Sequence, residues 1–399
     1  CTSDARSANP PTRGDEKMNK HWVSDKPFNP YAKDDVSEAQ QKYNLASQWT
    51  LIWWKFRKHK VALYSGILLI LIYAVAFFAE FFAPYGLETR HTQKIYSPPQ
   101  QVHFFDEDGL TTPFVYGWSY KLNLEKLIRE YEEDKTQKYP LQFFCKGDEY
   151  TLWGMFDASS HLVCVDQPGS LFLLGTDRLG HDMLSRIIYG ARISLTIGLL
   201  GILLSFALGI TLGGLAGFYG GWIDSSVQRA TEIIRSFPEL PLWMALSALL
   251  PLSWSPLWIF FGITLILAMM DWTGLARAVR AKILSLREED YTSAALLMGA
   301  TPARVIKKHM LPSFFSHLIA SASLSIPAMI LGETALSFLG LGLRPPITSW
   351  GVLLNEAQNI NNVAIYPWLM LPVVPVILVI LAFNFLGDGL RDAADPYTS

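Results

Sequence analysis

The stretch ISLTIGLLGILLSFALGITLGGLAGFYGGWI, residues 193–223, runs for 31 residues without a charged side chain. A helix that crosses the hydrocarbon core of a membrane needs about 20 predominantly apolar residues. Half of the 399 residues are hydrophobic and 17% are charged, against roughly 25% charged residues in soluble domains. The stretch therefore predicts an integral membrane protein.

Small residues recur every fourth position within this stretch. They are Gly201, Ser205, Gly209, Gly213 and Gly217, and such a ridge lets a second helix approach closely. Just upstream, the apolar positions of HDMLSRIIYGAR, residues 181–192, recur at helical spacing. That segment predicts a separate amphipathic helix at the membrane surface.

Other uncharged runs set the number of spans. Residues 61–79 and 240–270 qualify, and the prolines of LLPLSWSP, residues 249–256, divide the second run into a helical hairpin. The predicted fold is an all-α polytopic membrane protein with six transmembrane helices. These lie at about 61–83, 193–217, 232–250, 256–274, 313–336 and 367–387.

Lysine and arginine in the loops predict the orientation. KFRKHK, residues 55–60, precedes the first span, and residues 276–312 hold seven Lys or Arg. Such residues concentrate on the cytoplasmic side. We therefore expect a multi-pass protein of the cytoplasmic (inner) membrane with both termini and the 276–312 segment in the cytoplasm.

Residues 84–176 are too long and polar for a simple connector. They carry thirteen acids against eight Lys and Arg, with strand-like pieces such as LQFFCKG and HLVCV. This composition predicts a small mixed extracytoplasmic insertion. Cys145 and Cys164 lie in it and are candidates for a disulfide, with two free thiols as the open alternative.

The segment SAALLMGATPARVIKKHMLP, residues 293–312, predicts two short helices joined at a tight corner. Ser293, Ala294 and Ala295 form a small-residue face, and Gly299 suits the left-handed position that ends a helix. Thr301 and Pro302 are typical first residues of the next helix, which carries a basic face. Such a corner is either a lever gripped by another protein or a loop lying on anionic lipid.

This segment resembles the E-A-A-x-x-x-G-x(9)-I-x-L-P loop of binding-protein-dependent ABC importer permeases. Ser293 replaces the Glu of that pattern and His309 replaces the Ile. In that family the loop forms a coupling helix that docks in a cleft of the ATPase subunit. The coupling residues that the resemblance implies are Ser293, Ala294, Ala295, Gly299, Ala300, Leu311 and Pro312.

Three further segments are similar to the C-type permeases of oligopeptide and dipeptide importers. They are LLGTDRLGHDMLSRIIYGARISL at 173–195, ETALSFLGLGLRPPITSWG at 333–351 and LGDGLRDAADP at 386–396, with His181 where Arg is usual. The resemblance implies a peptide permease that forms half of a pathway. Its implied partners are a second permease subunit, two ATP-binding subunits or domains, an extracytoplasmic solute-binding protein and membrane lipid.

Other function classes find less support in the residues. Motifs for phosphate binding, zinc hydrolysis or serine hydrolysis are missing from the sequence, so we expect neither an enzyme nor a metal site. The resemblance places ATP on partner subunits, so we expect no cofactor in this chain, and we expect no nucleic acid partner. Transport of nickel or another small solute is the closer alternative, and an ion-coupled secondary transporter is the more distant one.

Charged or titratable residues near the membrane are candidates for function because they are costly there. Glu333 and His317 are candidates for the pathway or its gate; Glu333 alternatively bonds the loop that follows it, and His317 a backbone carbonyl. Glu232 and Glu239, near the inner end of the third span, are further candidates. Glu232 is expected to pair with Arg229 and Arg235, each three residues away.

The predicted organisation has four parts. Residues 1–60 form a cytoplasmic segment, 61–83 the first transmembrane helix, 84–176 the insertion, and 177–399 the permease domain with its coupling loop at 276–312. Because the chain opens with Cys1, Met18 is an alternative start and residues 1–17 an upstream extension.

Overall fold

The computed structural model describes residues 45–106, 109–125, 128–251 and 253–394. Cys1 and Met18 lie outside the described residues. The helices are α1 (Gln48–Lys58), α2 (Lys60–Phe77), α3 (Ala79–Phe82), α4 (Met183–Tyr219), α5 (Gly221–Arg235), α6 (Glu239–Ala248), α7 (Pro256–Arg287), α8 (Asp290–Leu297), α9 (Pro302–Val305), α10 (Phe315–Phe338), α11 (Trp350–Asn355), α12 (Ile360–Ile365) and α13 (Val373–Ala394). Helices therefore dominate the described part of the chain.

Five helices among the described residues are long and apolar enough to cross a membrane. They are Lys60–Phe77, Met183–Tyr219, Pro256–Arg287, Pro302–Phe338 and Pro367–Ala394. The last two include the short turns that precede α10 and α13. Each corresponds to one of the six predicted spans, so the prediction of a helical membrane protein is confirmed.

The remaining predicted span, 232–250, is not one helix. Helix α5 ends at Arg235, and α6 begins only at Glu239, after Pro238 in extended conformation. Proline lacks the N–H that an uninterrupted helix would need at this point. The prediction of a continuous arm starting near Glu232 is therefore wrong, and α6, with 10 residues, is only about 15 Å long.

The predicted surface helix at 181–192 is also corrected. It forms the first turns of α4, which continues without interruption for 37 residues. Met183 and Arg186 in these turns are buried. Of its apolar residues, Met183 and Ala191 are buried and Leu184, Ile187 and Ile188 are half-buried, so the segment packs within the chain.

The small-residue ridge of α4 packs against α7 as predicted. A Cβ at Gly209 would lie 2.8 Å from Leu275 Cδ2, and one at Gly217 would lie 2.8 Å from the Arg280 carbonyl oxygen. A Cβ at Gly213 would meet the backbone of Ala276. Since real Cβ atoms do not approach backbone so closely, the two helices need glycine at positions 213 and 217.

Two further contacts hold α2 against the bundle. Arg192 of α4 donates to Glu80 through both terminal nitrogens and to the carbonyls of Ala76 and Phe77 at the end of α2. An apolar cluster joins α2, α4, α10 and α13 through Leu69, Leu195, Ile330 and Val379. The core of the bundle therefore lies among these four helices.

The insertion is a four-stranded antiparallel sheet in the order β1-β2-β3-β4. Its strands are β1 (His103–Asp106), β2 (Gly109–Asn123), β3 (Ile128–Leu152) and β4 (Phe156–Val165). LQFFCKG lies in β3 and HLVCV in β4, so both strand predictions are confirmed. A disulfide joins Cys145 to Cys164 across these strands.

Candidate functional site

The segment that resembles a coupling loop folds as the predicted corner. Helix α8 ends at Leu297, and Gly299 follows at φ +83°, in the left-handed region. Thr301 is extended and Pro302 opens α9, as expected for the start of a helix. One detail differs, since the Thr301 side chain makes no capping hydrogen bond.

The corner rests on an apolar underside. Val305, Ile306 and Met310 pack in one cluster with Ile283 and Leu286 of α7. The Thr292 hydroxyl, itself buried, donates to the Leu286 carbonyl at 2.8 Å. The corner is therefore held against the carboxyl-terminal part of α7 and does not form a loose loop.

The predicted coupling residues divide between the two faces of the corner. Ser293, Ala294, Gly299 and Pro312 are exposed, whereas Ala300 and Leu311 are half-buried against the underside cluster. Ala295 is 3% exposed and belongs to that cluster. Ala295 therefore supports the corner from within, because the helical turn directs its methyl group toward α7.

Two residues that the sequence argument did not single out dominate the outer face of the corner. Leu297 is 90% exposed and Met298 is 81% exposed. Lys307, Lys308 and His309 are exposed on the neighbouring turn. We call the exposed residues 293, 294 and 296–299 the corner face; it offers apolar side chains beside a basic rim.

An ion pair joins α7 to α5. Arg280 of α7 forms a two-pronged contact with both carboxylate oxygens of Asp224 in α5. Such bidentate pairs have fixed geometry as well as charge attraction. The pair ties α7 to the segment that follows the long helix α4.

Glu333 lies near the carboxyl-terminal end of α10 and is fully buried, with no exposed surface. Its carboxylate accepts hydrogen bonds from Ser349 at 2.6 Å, Ser337 at 2.8 Å and Ser194 at 3.0 Å. Of the two roles predicted for Glu333, the structure shows the hydrogen bond to the loop that follows α10, because Ser349 is the last residue of that loop. His317 is exposed in the first turn of α10, at the opposite end of that helix from Glu333.

A second buried cluster fastens the segment before α4. The Asp177 carboxylate accepts from His181 Nδ1 at 2.7 Å and from the Arg186 guanidinium. Arg186 also donates to Glu356 at 3.2 Å. Burial alone raises the pKa of Asp177, but the His181 hydrogen bond and the Arg186 charge outweigh it and hold the pKa below its usual value.

Glu232 pairs as predicted with one of its two arginines. Arg229 Nη1 lies 3.0 Å from Glu232 Oε2, with both side chains exposed. Arg235 instead donates from Nε to the Thr273 hydroxyl at 3.1 Å. Arg235 is therefore directed at α7 and not along its own helix.

Arg235 borders a cavity of about 300 Å³ between α4, α5, α6, α7 and α10. Glu239 and Asp271 line it together with Arg235, and we call it the charged cavity. Asp271 lies at mid-length of α7 and accepts a hydrogen bond from Ser205 at 2.6 Å. Asp271 is not among the residues predicted from the sequence, although it lies within the predicted span 256–274.

Together these features define a helical, multi-pass membrane protein with a braced corner and a polar cavity among its helices. Residues 209–399 match the family model "Binding-protein-dependent transport system inner membrane component", and residues 47–99 match "N-terminal TM domain of oligopeptide transport permease C". The chain belongs to this family of ABC importer permeases. The predicted family resemblance is confirmed.

Curated relatives agree with this assignment. The glutathione transport system permease protein GsiD of Pectobacterium atrosepticum is 30% identical over 357 residues, covering 88% of this chain and 92% of that protein. The dipeptide permease DppC of Alkalihalophilus pseudofirmus is 38% identical over 57% of this chain and 73% of its own length. The oligopeptide permease OppC of Haemophilus influenzae is 36% identical over 64% and 78%.

Proposed function

We propose that this chain is a permease subunit of an ATP-driven importer of peptides. It forms half of the translocation pathway, and a second permease subunit forms the other half. Two cytoplasmic ATP-binding subunits drive the cycle, and an extracytoplasmic solute-binding protein delivers the substrate. The observation that carries the proposal is the corner face, where Leu297 and Met298 are exposed on a rigid support.

A surface of this kind favours protein contact over lipid contact. Apolar side chains surrounded by polar ones are typical of protein interaction sites. Leu297, Met298 and the small residues before them suit a shallow cleft, with Lys307 and Lys308 at its rim. The ATP-binding subunit is the partner that the family provides for this segment.

The corner also has a route to the opposite end of the bundle. Residues Pro302–Phe338 form one helical path of 37 residues. Near its far end, Glu333 accepts hydrogen bonds from Ser337 on the same helix and from Ser194 and Ser349 outside it. A displacement of the corner would therefore change the packing around Glu333. ATP shifts the transporter between states only because its closed ATPase dimer favours one position of the corner.

We further propose six membrane passes, with α6 and the residues on either side of it completing the third. The amino and carboxyl ends and the corner then lie in the cytoplasm, and residues 84–176 lie outside. The seven Lys or Arg of residues 276–312 support this orientation. The Cys145–Cys164 disulfide suits an oxidising compartment.

Peptides are the proposed cargo because the relatives reported above are named for dipeptides, oligopeptides and glutathione. The alternative of nickel or another small solute is not favoured by these names. An ion-coupled secondary transporter would need no ATP and no delivery protein. The two mechanisms therefore differ in what drives uptake.

Reconstitution in proteoliposomes tests the proposal. The assembly of both permease subunits and the ATP-binding subunits is expected to accumulate labelled trialanine only with ATP at its ATP-binding side and a solute-binding protein on the opposite side. A Walker-motif variant of the ATP-binding subunit is the control. Uptake driven by a proton or sodium gradient alone would refute the proposed function.

A further inference from the structure

The charged cavity brings together groups of both signs inside the bundle. Arg235, Glu239 and Asp271 line it, and Arg235 and Glu239 are exposed in this chain, while Asp271 is half-buried. Among the described residues, none of the three has an ion-pair partner within 4.0 Å. Each keeps capacity for a further polar partner.

The geometry brings the cation close to the aspartate. Arg235 Nε donates to Thr273, and a Cβ on Gly274 would lie 3.3 Å from Arg235 Nη2. Residues three apart on a helix share a face, so the guanidinium lies about one turn of α7 from Asp271. Because Gly274 has no side chain, the Arg235 guanidinium can lie close against α7 at this position.

Lipid cannot be what faces these groups. Charged side chains at membrane depth face protein or a water-filled cavity because exposure to hydrocarbon is costly. Asp271 at mid-length of α7 and Arg235 beside it therefore belong to a wall that meets water, substrate or a partner helix. A pathway shared between two permease subunits supplies such a wall.

The remaining lining indicates what the wall binds. Phe206, Met270 and Leu324 supply apolar surface, and Ser321 and Ser325 of α10 supply hydroxyls. The volume is at the lower end of the range for small-ligand sites, about 300–1,000 Å³. Separate acidic and basic groups over an apolar floor fit a small zwitterion with a side chain.

We propose that the charged cavity is a peptide-binding site of the pathway, in which Asp271 and Glu239 bind the peptide ammonium group and Arg235 binds its carboxylate. The planar guanidinium suits a carboxylate because it can donate two parallel hydrogen bonds. This inference rests on the proposed function and adds a substrate contact within it.

Protection of a cysteine from labelling tests the site directly. Ser325→Cys, combined with Cys1→Ser, is assembled with the partner permease and ATP-binding subunits and treated with N-ethylmaleimide, a neutral reagent. Trialanine is expected to slow labelling about tenfold more than N-acetyl-trialanine amide does, the size expected from losing one or two charge-assisted hydrogen bonds. The solute-binding protein is left out, so its own selectivity does not enter.

Two variants and one control assign the effect. Asp271→Asn and Arg235→Gln are each expected to remove the difference between free and blocked peptide. Glu232 lies on the same helix as Arg235 but is exposed and paired with Arg229. Glu232→Gln is therefore expected to retain the difference between free and blocked peptide.

The inference is overturned if Ser325→Cys is not labelled, or if free and blocked peptide protect it equally. It is also overturned if the difference between the two peptides survives both Asp271→Asn and Arg235→Gln. If any of these results is found while the complete transporter still takes up peptide, the proposed function stands and only the binding site is refuted.

Discussion

Replacing Gly299 by valine tests how the corner works. Gly299 lies at φ +83°, and no atom lies within 4 Å of where its Cβ would be. The only cost within the chain is therefore the left-handed backbone, about 1–2 kcal/mol for a residue other than glycine. In the docked complex, the added isopropyl group also enlarges the corner face.

We therefore expect Gly299→Val to insert in the membrane nearly as well as wild type but to lose contact with the ATP-binding subunits. Their co-purification and the substrate-stimulated ATP hydrolysis are expected to fall on the order of tenfold, the effect of about 1.4 kcal/mol lost at a contact. Both are measured on the assembly purified in detergent and reconstituted.

A matched glycine separates backbone strain from docking. Gly154 lies at φ +69° in the turn between β3 and β4, again with nothing within 4 Å of its Cβ position. Gly154→Val carries the same backbone cost but is expected to leave ATP hydrolysis unchanged, and Lys307→Ala is expected to cost under about 1 kcal/mol. Wild-type coupling in Gly299→Val, or equal losses in both glycine variants, would refute the docking argument.

Three further outcomes are expected. Mass spectrometry of the unreduced chain should find Cys145 linked to Cys164, and two alkylatable thiols would contradict this; the bridge stabilises the insertion by roughly 3 kcal/mol. Asp177 has a lowered pKa, so its contribution to stability is present above its unfolded pKa near 3.8 and is lost as pH falls through the lower folded value. The melting temperature should therefore drop with acid less steeply in Asp177→Asn than in wild type. Parallel pH profiles of the two proteins would refute this. Gly213→Ala should lower the melting temperature, because its Cβ would meet the backbone of Ala276 and overpacking costs about 1–3 kcal/mol; an unchanged melting temperature would contradict close packing of α4 on α7.

Sequence length and charge predicted most of the helical framework. An uncharged run of about 20 residues has few alternatives to a spanning helix, which is why five of the predicted spans correspond to helices. The break between α5 and α6 was missed, although Pro238 marks it, because hydrophobicity alone does not report where helical hydrogen bonding stops. Asp271 was missed although it lies within the predicted span 256–274, because the cavity that it lines forms only when α7 packs against the other helices.

The side chains of the sites were harder to predict than the helices. The left-handed position of Gly299 follows from local chemistry and was predicted, whereas the burial of Ala295 depends on how α8 packs on α7. Two of the hydroxyls around Glu333 come from Ser194 and Ser349, which are 155 residues apart along the chain. Such contacts exist only once the chain has folded.

The central claim, that the corner face docks on the ATP-binding subunit, has one direct measurement. Met298, 81% exposed at the corner, and Met155, 71% exposed in the insertion, are each replaced by the photoreactive p-benzoylphenylalanine in the assembled transporter. Irradiation is expected to link position 298 to the ATP-binding subunit and position 155 to no part of it. Failure of position 298 to link to that subunit, or a link formed from position 155 instead, would contradict the account.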